Sequence, residues 1–303
     1  MAAAIVTREL TKRYGSTVAL DALDLTIEAG EVFGYLGPNG AGKSTTIELL
    51  LGFIRPTAGS ATILGFDVGR DATALHRRLA YVPSVAALWP SLTGDETLRL
   101  LGNLHGSVDL SYRNELIERF ELDVDKKCRA YSHGNQQKVL LVAAFASRAE
   151  LLLLDEPTTG LDPLMEQKFR LCVAEAKERG QTVLLSSHIL SEVEATCDSV
   201  AMLRAGRLVD VGRLDALRGL AASRVHAEVR REPSELGALD GVDHVTVTPC
   251  AGGDGGFVVE CDVTGDVGAL MSALSAAGVT RLTTREPSLE ELFVSRYGAD
   301  GDR

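Results

Sequence analysis

GPNGAGKST, Gly37 to Thr45, is the stretch from which the fold can be read. It fits G-x-x-x-x-G-K-[ST], the pattern of a phosphate-binding loop. Its residues Gly37, Pro38, Asn39, Gly40, Ala41, Gly42, Lys43, Ser44 and Thr45 are all candidates for contact with a polyphosphate. The glycines leave room for backbone N–H groups to turn inward onto the phosphates. Lys43 supplies a point charge at the β- and γ-phosphates, and the Ser44 hydroxyl is placed for Mg²⁺. A helix beginning here turns its positive end toward the anion. A glycine-rich turn before an ordinary helix is the plainer alternative, and the flanking sequence argues against it. Glu31–Leu36 (EVFGYL) reads as a short buried strand and Thr45–Leu51 as a helix. Strand, loop, helix is the setting the pattern requires.

A second signal lies at AELLLLDEPTTGLDP, Ala149 to Pro163. Four leucines form a buried strand that ends in two carboxylates. Ligands of open α/β sheets sit at the carboxyl ends of strands. Asp155 is therefore expected to reach Mg²⁺ through water, and Glu156 to stand beside a γ-phosphate, placed to polarise an attacking water. Capping of the following turn is the alternative task for both acids. His188 follows another apolar run, Thr182–Ser187, and can face the same phosphate.

Up to about Gly219 the pattern alternates β and α. Val32–Leu36, Leu151–Asp155 and Thr182–Ser187 suit strands buried on both faces. Between Ser84 and Ala149 the texture is helical, with helices expected at Gly94–His105, Ser111–Glu121 and His133–Ser147. After Gly219 strands are expected at Val225–Arg231, Asp243–Thr248, Gly256–Val263 and Val279–Arg285. Helices are expected at Pro233–Leu239 and Asp266–Ala277, which makes the order βαββαβ of a small ferredoxin-like sandwich. A last helix is expected at EPSLEELF, with Ser288 and Glu291 as a capping box. The glycine-rich Gly252–Gly256 reads as a hairpin connection, because no Lys-Ser or Lys-Thr pair follows it.

The formal charge of −11 argues against a nucleic-acid partner, whose usual footprint is a basic face. No run of eighteen apolar residues is present, so the chain itself is expected not to span a membrane. MAAAIVTREL lacks the basic start and apolar stretch of a secretory signal. The five cysteines have no CxxC pairing and read as reduced thiols of a cytosolic protein.

YSHGNQQKV, Tyr131 to Val139, settles the family. Ser132 is a good N-cap, and the helix behind it offers a second anion site. Between the phosphate loop and the leucine strand, this segment resembles the LSGGQ signature of ABC ATPases. The rest lines up in order: Tyr14 resembles the adenine-stacking aromatic, Gly37–Thr45 Walker A, and Leu151–Glu156 Walker B. Gly160–Pro163 resembles the D-loop, and His188 the switch histidine. The resemblance covers about the first 215 residues. It implies an α/β fold: a P-loop NTPase (ABC ATPase) core over residues 1–219, with an inserted helical subdomain over residues 85–148. A small α+β ferredoxin-like accessory domain would fill 220–303. It implies ATP and Mg²⁺ as cofactors. It also implies two nucleotide-binding domains paired head to tail, an identical chain being the expected partner. Ser132 and Gly134 would contact the partner's γ-phosphate, and Asp162 would help transmit between the sites. The cycle would drive an integral membrane permease from its cytoplasmic face.

Two departures from the family pattern stand out. His133 and Asn135 replace the commoner Gly and Gln of the signature, while Ser132 and Gly134 remain. Ser84 stands where the family usually places a Gln that reaches the metal and the attacking water. Serine is shorter: it acts through a bridging water, or the coupling between site and permease is handled differently here, or a nearby group takes over. Val85–Leu98 resembles the surface that receives the permease, where Trp89 is either a contact or core. SHGNQQKV, the linker IRPTAG and the tail EPSLEELF resemble ATPases of ABC-2 type exporters, which include drug- and antibiotic-resistance systems. Three other classes compete: a soluble ABC ATPase acting on nucleic acid or ribosomes, an importer ATPase, and a binding module without hydrolysis. Repair ATPases carry very long insertions between Walker A and the signature, and translation-associated members usually carry two ATPase domains. The tail speaks against an importer, and Glu156 against a module that does not hydrolyse.

Overall fold

The computed structural model describes residues 2–219, 222–233, 236–250, 256–265 and 267–285. The chain divides into two units, Met1–Gly212 and Arg213–Arg303. The first unit opens with two long antiparallel strands, β1 (Ala3–Tyr14) and β2 (Thr17–Glu28). Left-handed backbone at Glu9 and Ala22 (φ 47° and 48°) and shifts in register interrupt their inside–outside alternation. A bulge kinks its strand and leaves one residue unpaired, so the period-2 pattern is lost to a sequence reader. Next come β3 (Val32–Leu36), α1 (Lys43–Leu50), β4 (Ala58–Ile63) and β5 (Phe66–Asp67). The outer strands form one four-stranded sheet in the order β2-β1-β4-β5.

The chain then passes through α2 (Ala72–His76) and β6 (Leu79–Val82) into three helices: α3 (Gly94–His105), α4 (Leu110–Arg119) and α5 (His133–Ala146). This is the expected helical subdomain. Among the described residues its only sheet pairing is an isolated bridge between Thr93 and Lys127. Local chemistry sets the helix starts. Thr93 and Glu96 form a reciprocal capping box on α3, and Asp109 caps α4 by accepting from the Tyr112 N–H. The unit ends with β7 (Leu151–Asp155), α6 (Pro163–Glu178), β8 (Thr182–Ser187), α7 (Leu190–Thr196), β9 (Ser199–Arg204) and β10 (Arg207–Arg213).

The central sheet runs β10-β9-β3-β8-β7-β6, and every pair from β9 to β6 is parallel. Its faces are covered by different layers. Leu152 and Leu154 pack with Val139, Val142, Phe145 and Phe169, while Leu151 and Leu153 pack with Ile5, Leu20, Ile47 and Leu50. Alternate side chains of one strand thus go to opposite cores, and all four leucines are fully buried. Each such burial contributes about 1.5–3 kcal/mol. Parallel pairing also brings the carboxyl ends of β3, β8 and β7 together: Leu36 pairs with Ser187, and Asp155 with Ser186.

The second unit comprises α8 (Leu214–Gly219), β11 (Ser223–Val229), β12 (Val242–Pro249), β13 (Phe257–Val263), α9 (Gly268–Ala276) and β14 (Val279–Arg285). Its antiparallel sheet has the order β12-β13-β11-β14, that of a ferredoxin-like sandwich. Val225, Ala227 and Val229 face Leu270 and Leu274 in its core. Within the helix expected at Pro233–Leu239, Leu236–Ala238 form a 3₁₀ turn, and residues 234 and 235 lie outside the described residues. The EPSLEELF helix and most of the glycine-rich connection lie outside the described residues. No described helix is long and apolar enough to cross a membrane.

Candidate active site

The phosphate loop leaves β3 and wraps onto the start of α1. Two of its glycines are required by close backbone approach. A Cβ at Gly37 would lie 2.4 Å from the Leu203 carbonyl, and one at Gly42 (φ 109°) 2.6 Å from that of Ala19. The Gly206 N–H donates to the Ala41 carbonyl at 2.9 Å, fastening the loop to the turn after β9. Pro38, Asn39 and Gly40 are exposed at the crown, Ser44 is exposed on the first turn of α1, and Thr45 is half-buried. Gly42 offers no side chain to cap α1, so its first-turn N–H groups have no side-chain acceptor there. The Tyr35 hydroxyl lies 3.0 Å from the Thr46 hydroxyl and joins β3 to α1; burial pushes its ionisation far up, despite that bond.

Lys43 is 5% exposed. Its ammonium donates to the Gly37 carbonyl at 2.7 Å and the Pro38 carbonyl at 3.3 Å, and lies 3.4 Å from Glu156 Oε1. The other oxygen, Oε2, is 3.2 Å from His188 Nδ1. Lys43, Glu156 and His188, widely separated in the chain, are therefore one cluster with the carboxylate at its centre. Glu156 occupies left-handed backbone (φ 46°), and its N–H donates to the Ser186 carbonyl at 3.1 Å. Asp155 is buried and accepts from the Ser186 hydroxyl. Neither acid spends its side chain capping the next turn. Tyr81, on β6, has its hydroxyl pushed up to about 12, first by burial and then by the charges of Asp155 and Glu48.

The other expected residues lie apart from this cluster. Tyr14 ends β1 half-exposed, with the Lys12 ammonium 4.9 Å from its ring centre. Ser132 caps α5 by accepting from the Asn135 N–H at 3.3 Å. Gly134 has a packing reason that the sequence conceals: a Cβ there would lie 2.4 Å from the Gly160 carbonyl. The signature turn and the D-loop of the same chain thus touch through backbone, with the His133 ring also against Gly160. Asp162 caps α6, accepting from the Leu164 and Met165 N–H groups at 3.1 and 3.0 Å. Ser84 is half-buried after β6. Behind its loop, the fully buried Gln137 donates to the Pro83 carbonyl at 3.4 Å. Trp89 is 47% exposed and Val85 71%, so the tryptophan is not core.

Several residues at the site carry no sequence motif. Ser186 donates its hydroxyl to Asp155 and accepts the Glu156 N–H. Glu192, on α7, accepts from the Thr158 hydroxyl and the Ser187 hydroxyl, each at 2.8 Å. The parallel register of β7 with β8 sets Ser186 beside Asp155, the turn from β8 into α7 brings Glu192 to both hydroxyls, and no local pattern announces either.

The arrangement suits a nucleoside triphosphate with its metal. Gly37 and Gly42 make a cradle that a Cβ would fill, Lys43 lies along it, and Ser44 and Asp155 carry hard oxygens of the kind that could hold Mg²⁺. Fold and site together define a P-loop ATPase. The family described as "ABC transporter" matches residues 20–159. The daunorubicin resistance ATP-binding protein DrrA3 of Streptomyces coeruleorubidus is 37% identical over 95% of this chain and 94% of its own length. The bacitracin transport ATP-binding protein BcrA of Bacillus licheniformis is 32% identical over 98% of each. A solved ATP-binding subunit of an ABC transporter is 33% identical, with a TM-score of 0.66 over 71% of this chain and 91% of that one. The ATP-binding cassette MJ0796, solved as a post-hydrolysis dimer bound to ADP and Pi, is 25% identical, with a TM-score of 0.63 over 69% and 98%. The chain belongs to the ATP-binding proteins of ABC transporters, and it is an ATPase.

Proposed function

We propose that this chain powers export of a drug or antibiotic through a separate integral membrane permease, bound peripherally at the cytoplasmic face. The observation that carries the hydrolytic part of the reading is the cluster of Lys43 and His188 on the Glu156 carboxylate. Similarity that runs through both units to resistance and transport ATPases supports the choice of an exporter over an importer or a soluble role.

Residues 1–219 are taken as the nucleotide-binding domain and 220–303 as an accessory domain. The amides of Gly37–Thr45 and Lys43 hold the phosphates, and Tyr14 stacks on the base. Ser44 and Asp155 would hold Mg²⁺, which neutralises charge developing on the phosphate oxygens. Glu156 accepts the proton of the attacking water. His188, in contact with Glu156, orients it and faces the terminal phosphate. A second, identical chain completes the site with its Ser132 and Gly134, and Asp162 lies where the two halves communicate. MJ0796 as a dimer supports that pairing.

The test is Glu156→Gln in the full-length chain. ATP binding persists, turnover falls by about 10²-fold or more, and an ATP-bound dimer accumulates on size exclusion. Turnover at the parent rate refutes the assignment of the base. Co-purification with a multi-helix membrane protein supports the transport role, and its consistent absence from membranes counts against it.

A further inference from the structure

Both carboxylate oxygens of Glu192 are engaged, each by a different loop. Oε1 accepts from Thr158 Oγ1 at 2.8 Å, and Oε2 from Ser187 Oγ at 2.8 Å. Thr158 and Ser187 are 8% and 2% exposed, so neither hydroxyl has solvent as a ready alternative. Their places in the chain matter. Thr158 lies two residues beyond Glu156, and its carbonyl accepts from the Leu161 N–H at 2.9 Å, within the turn that leads to Asp162. Ser187 directly precedes His188, and its oxygen also accepts from the Ile189 N–H at 2.9 Å. The histidine is bracketed on both sides by one hydroxyl.

An ionised carboxylate has only acceptors, so both hydroxyls donate to it. The Ser187 oxygen is then left free to receive the Ile189 amide. A carboxylate in the first turn of a short helix has a plainer use, in complementing the helix dipole. That use needs no second partner, whereas here each oxygen reaches a different loop. The two loops are the ones that carry Glu156 and His188, whose side chains lie 3.2 Å apart. We infer that Glu192 is a positioning residue for hydrolysis: it clamps the segment after Glu156 to the segment around His188 and holds that pair in register. The inference rests on the proposed roles of Glu156 and His188. It adds the group that keeps their spacing, and it gives Thr158 and Ser187 their tasks.

The test uses the full-length chain and steady-state ATP turnover. Glu192→Ala lowers kcat by roughly tenfold while KM for ATP stays within about twofold, because small misplacements act on the reacting geometry rather than on ground-state binding. Glu192→Gln loses less, since its amide oxygen still accepts one hydroxyl. Thr158→Val and Ser187→Ala each lose part, and Glu192→Ala with Thr158→Val is no slower than Glu192→Ala alone. A merely structural role would instead lower the melting temperature and nucleotide binding together, with additive losses. Parent-like kcat in Glu192→Ala, or additive losses in the double variant, overturns the clamp. His188→Ala separates the two readings. If it is impaired while Glu192→Ala is not, the clamp alone falls; if it turns over at the parent rate, the site assignment and the clamp fall together.

Discussion

Gly134→Ala gives the sharpest test of the geometry between the signature turn and the D-loop. Alanine is a better helix former than glycine by up to about 1 kcal/mol, so local propensity alone predicts a gain in stability. The tertiary structure predicts the opposite. The added Cβ would sit 2.4 Å from the Gly160 carbonyl, where ordinary contact begins at 3.4 Å. Roughly 1 Å must be opened between two backbones, and neither is the tip of a flexible side chain. Overpacking of this kind costs about 1–3 kcal/mol. Because the clash is between two backbones, the upper part of that range applies, about 2–3 kcal/mol, and the propensity leaves a net loss of about 1–2 kcal/mol, or roughly 2–8 °C in melting temperature for a unit of this size. The assay is thermal unfolding followed through the fluorescence of Trp89, the single tryptophan of the chain, which reports on the first unit. A Gly134→Ala protein that melts at or above the parent temperature would refute the contact. Gly134 would then be needed only where a partner's nucleotide approaches it.

Tyr14→Ala is expected to weaken ATP binding roughly tenfold, the scale of one lost base–aromatic stack, while Tyr14→Phe binds as the parent; equal affinity in the alanine variant would sink the stacking role. Ser84→Gln restores the longer carboxamide at the loop after β6 and is expected to raise ATP turnover several-fold, read by phosphate release; unchanged ATPase and transport would show that the position is not limiting. Arg78 and Glu150 join the starts of β6 and β7, and the bond from Arg78 holds the Glu150 carboxyl below its usual range, with burial opposing. A carboxyl lowered in the folded state contributes stability above its unfolded pKa of about 4.3 and loses it as pH falls through the lower folded value. Glu150→Gln, which leaves the Arg78 guanidinium over the Phe66 ring, should therefore cost a few tenths to about 1 kcal/mol at neutral pH and nothing in strong acid, by denaturant titration at both; a cost independent of pH would contradict the pairing.

The central strands were legible because they are buried on both faces. EVFGYL, LLLLD and TVLLSS are continuous apolar runs, and a continuous run needs no phase to be recognised. The three helices of the subdomain were legible from their helical texture, and the cap of α5 from Ser132; the caps of α3 and α4 emerged only in the structure. β1 and β2 were not, since Glu9 and Ala22 adopt left-handed backbone and break the alternation that would announce a strand. Lys43, Asp155, Glu156 and His188 could be proposed in advance because each ends a buried strand, directly follows one, or opens the helix beyond the loop that leaves one.

By itself the sequence determined the chemistry: a phosphate loop, two acids and a histidine, each at a strand's carboxyl end, and the family to which that combination belongs. Only the tertiary structure decided the partnerships among them. Glu156 between Lys43 and His188, Ser186 under Asp155, Gly134 against Gly160, and Glu192 across Thr158 and Ser187 all join residues far apart in the chain. The physical reason is the parallel sheet. Its crossovers set which strand lies beside which, and its register places Asp155 opposite Ser186 rather than Ser187. A shift of one residue would turn every side chain of a strand to the other face, so the site is determined only once the whole sheet is packed.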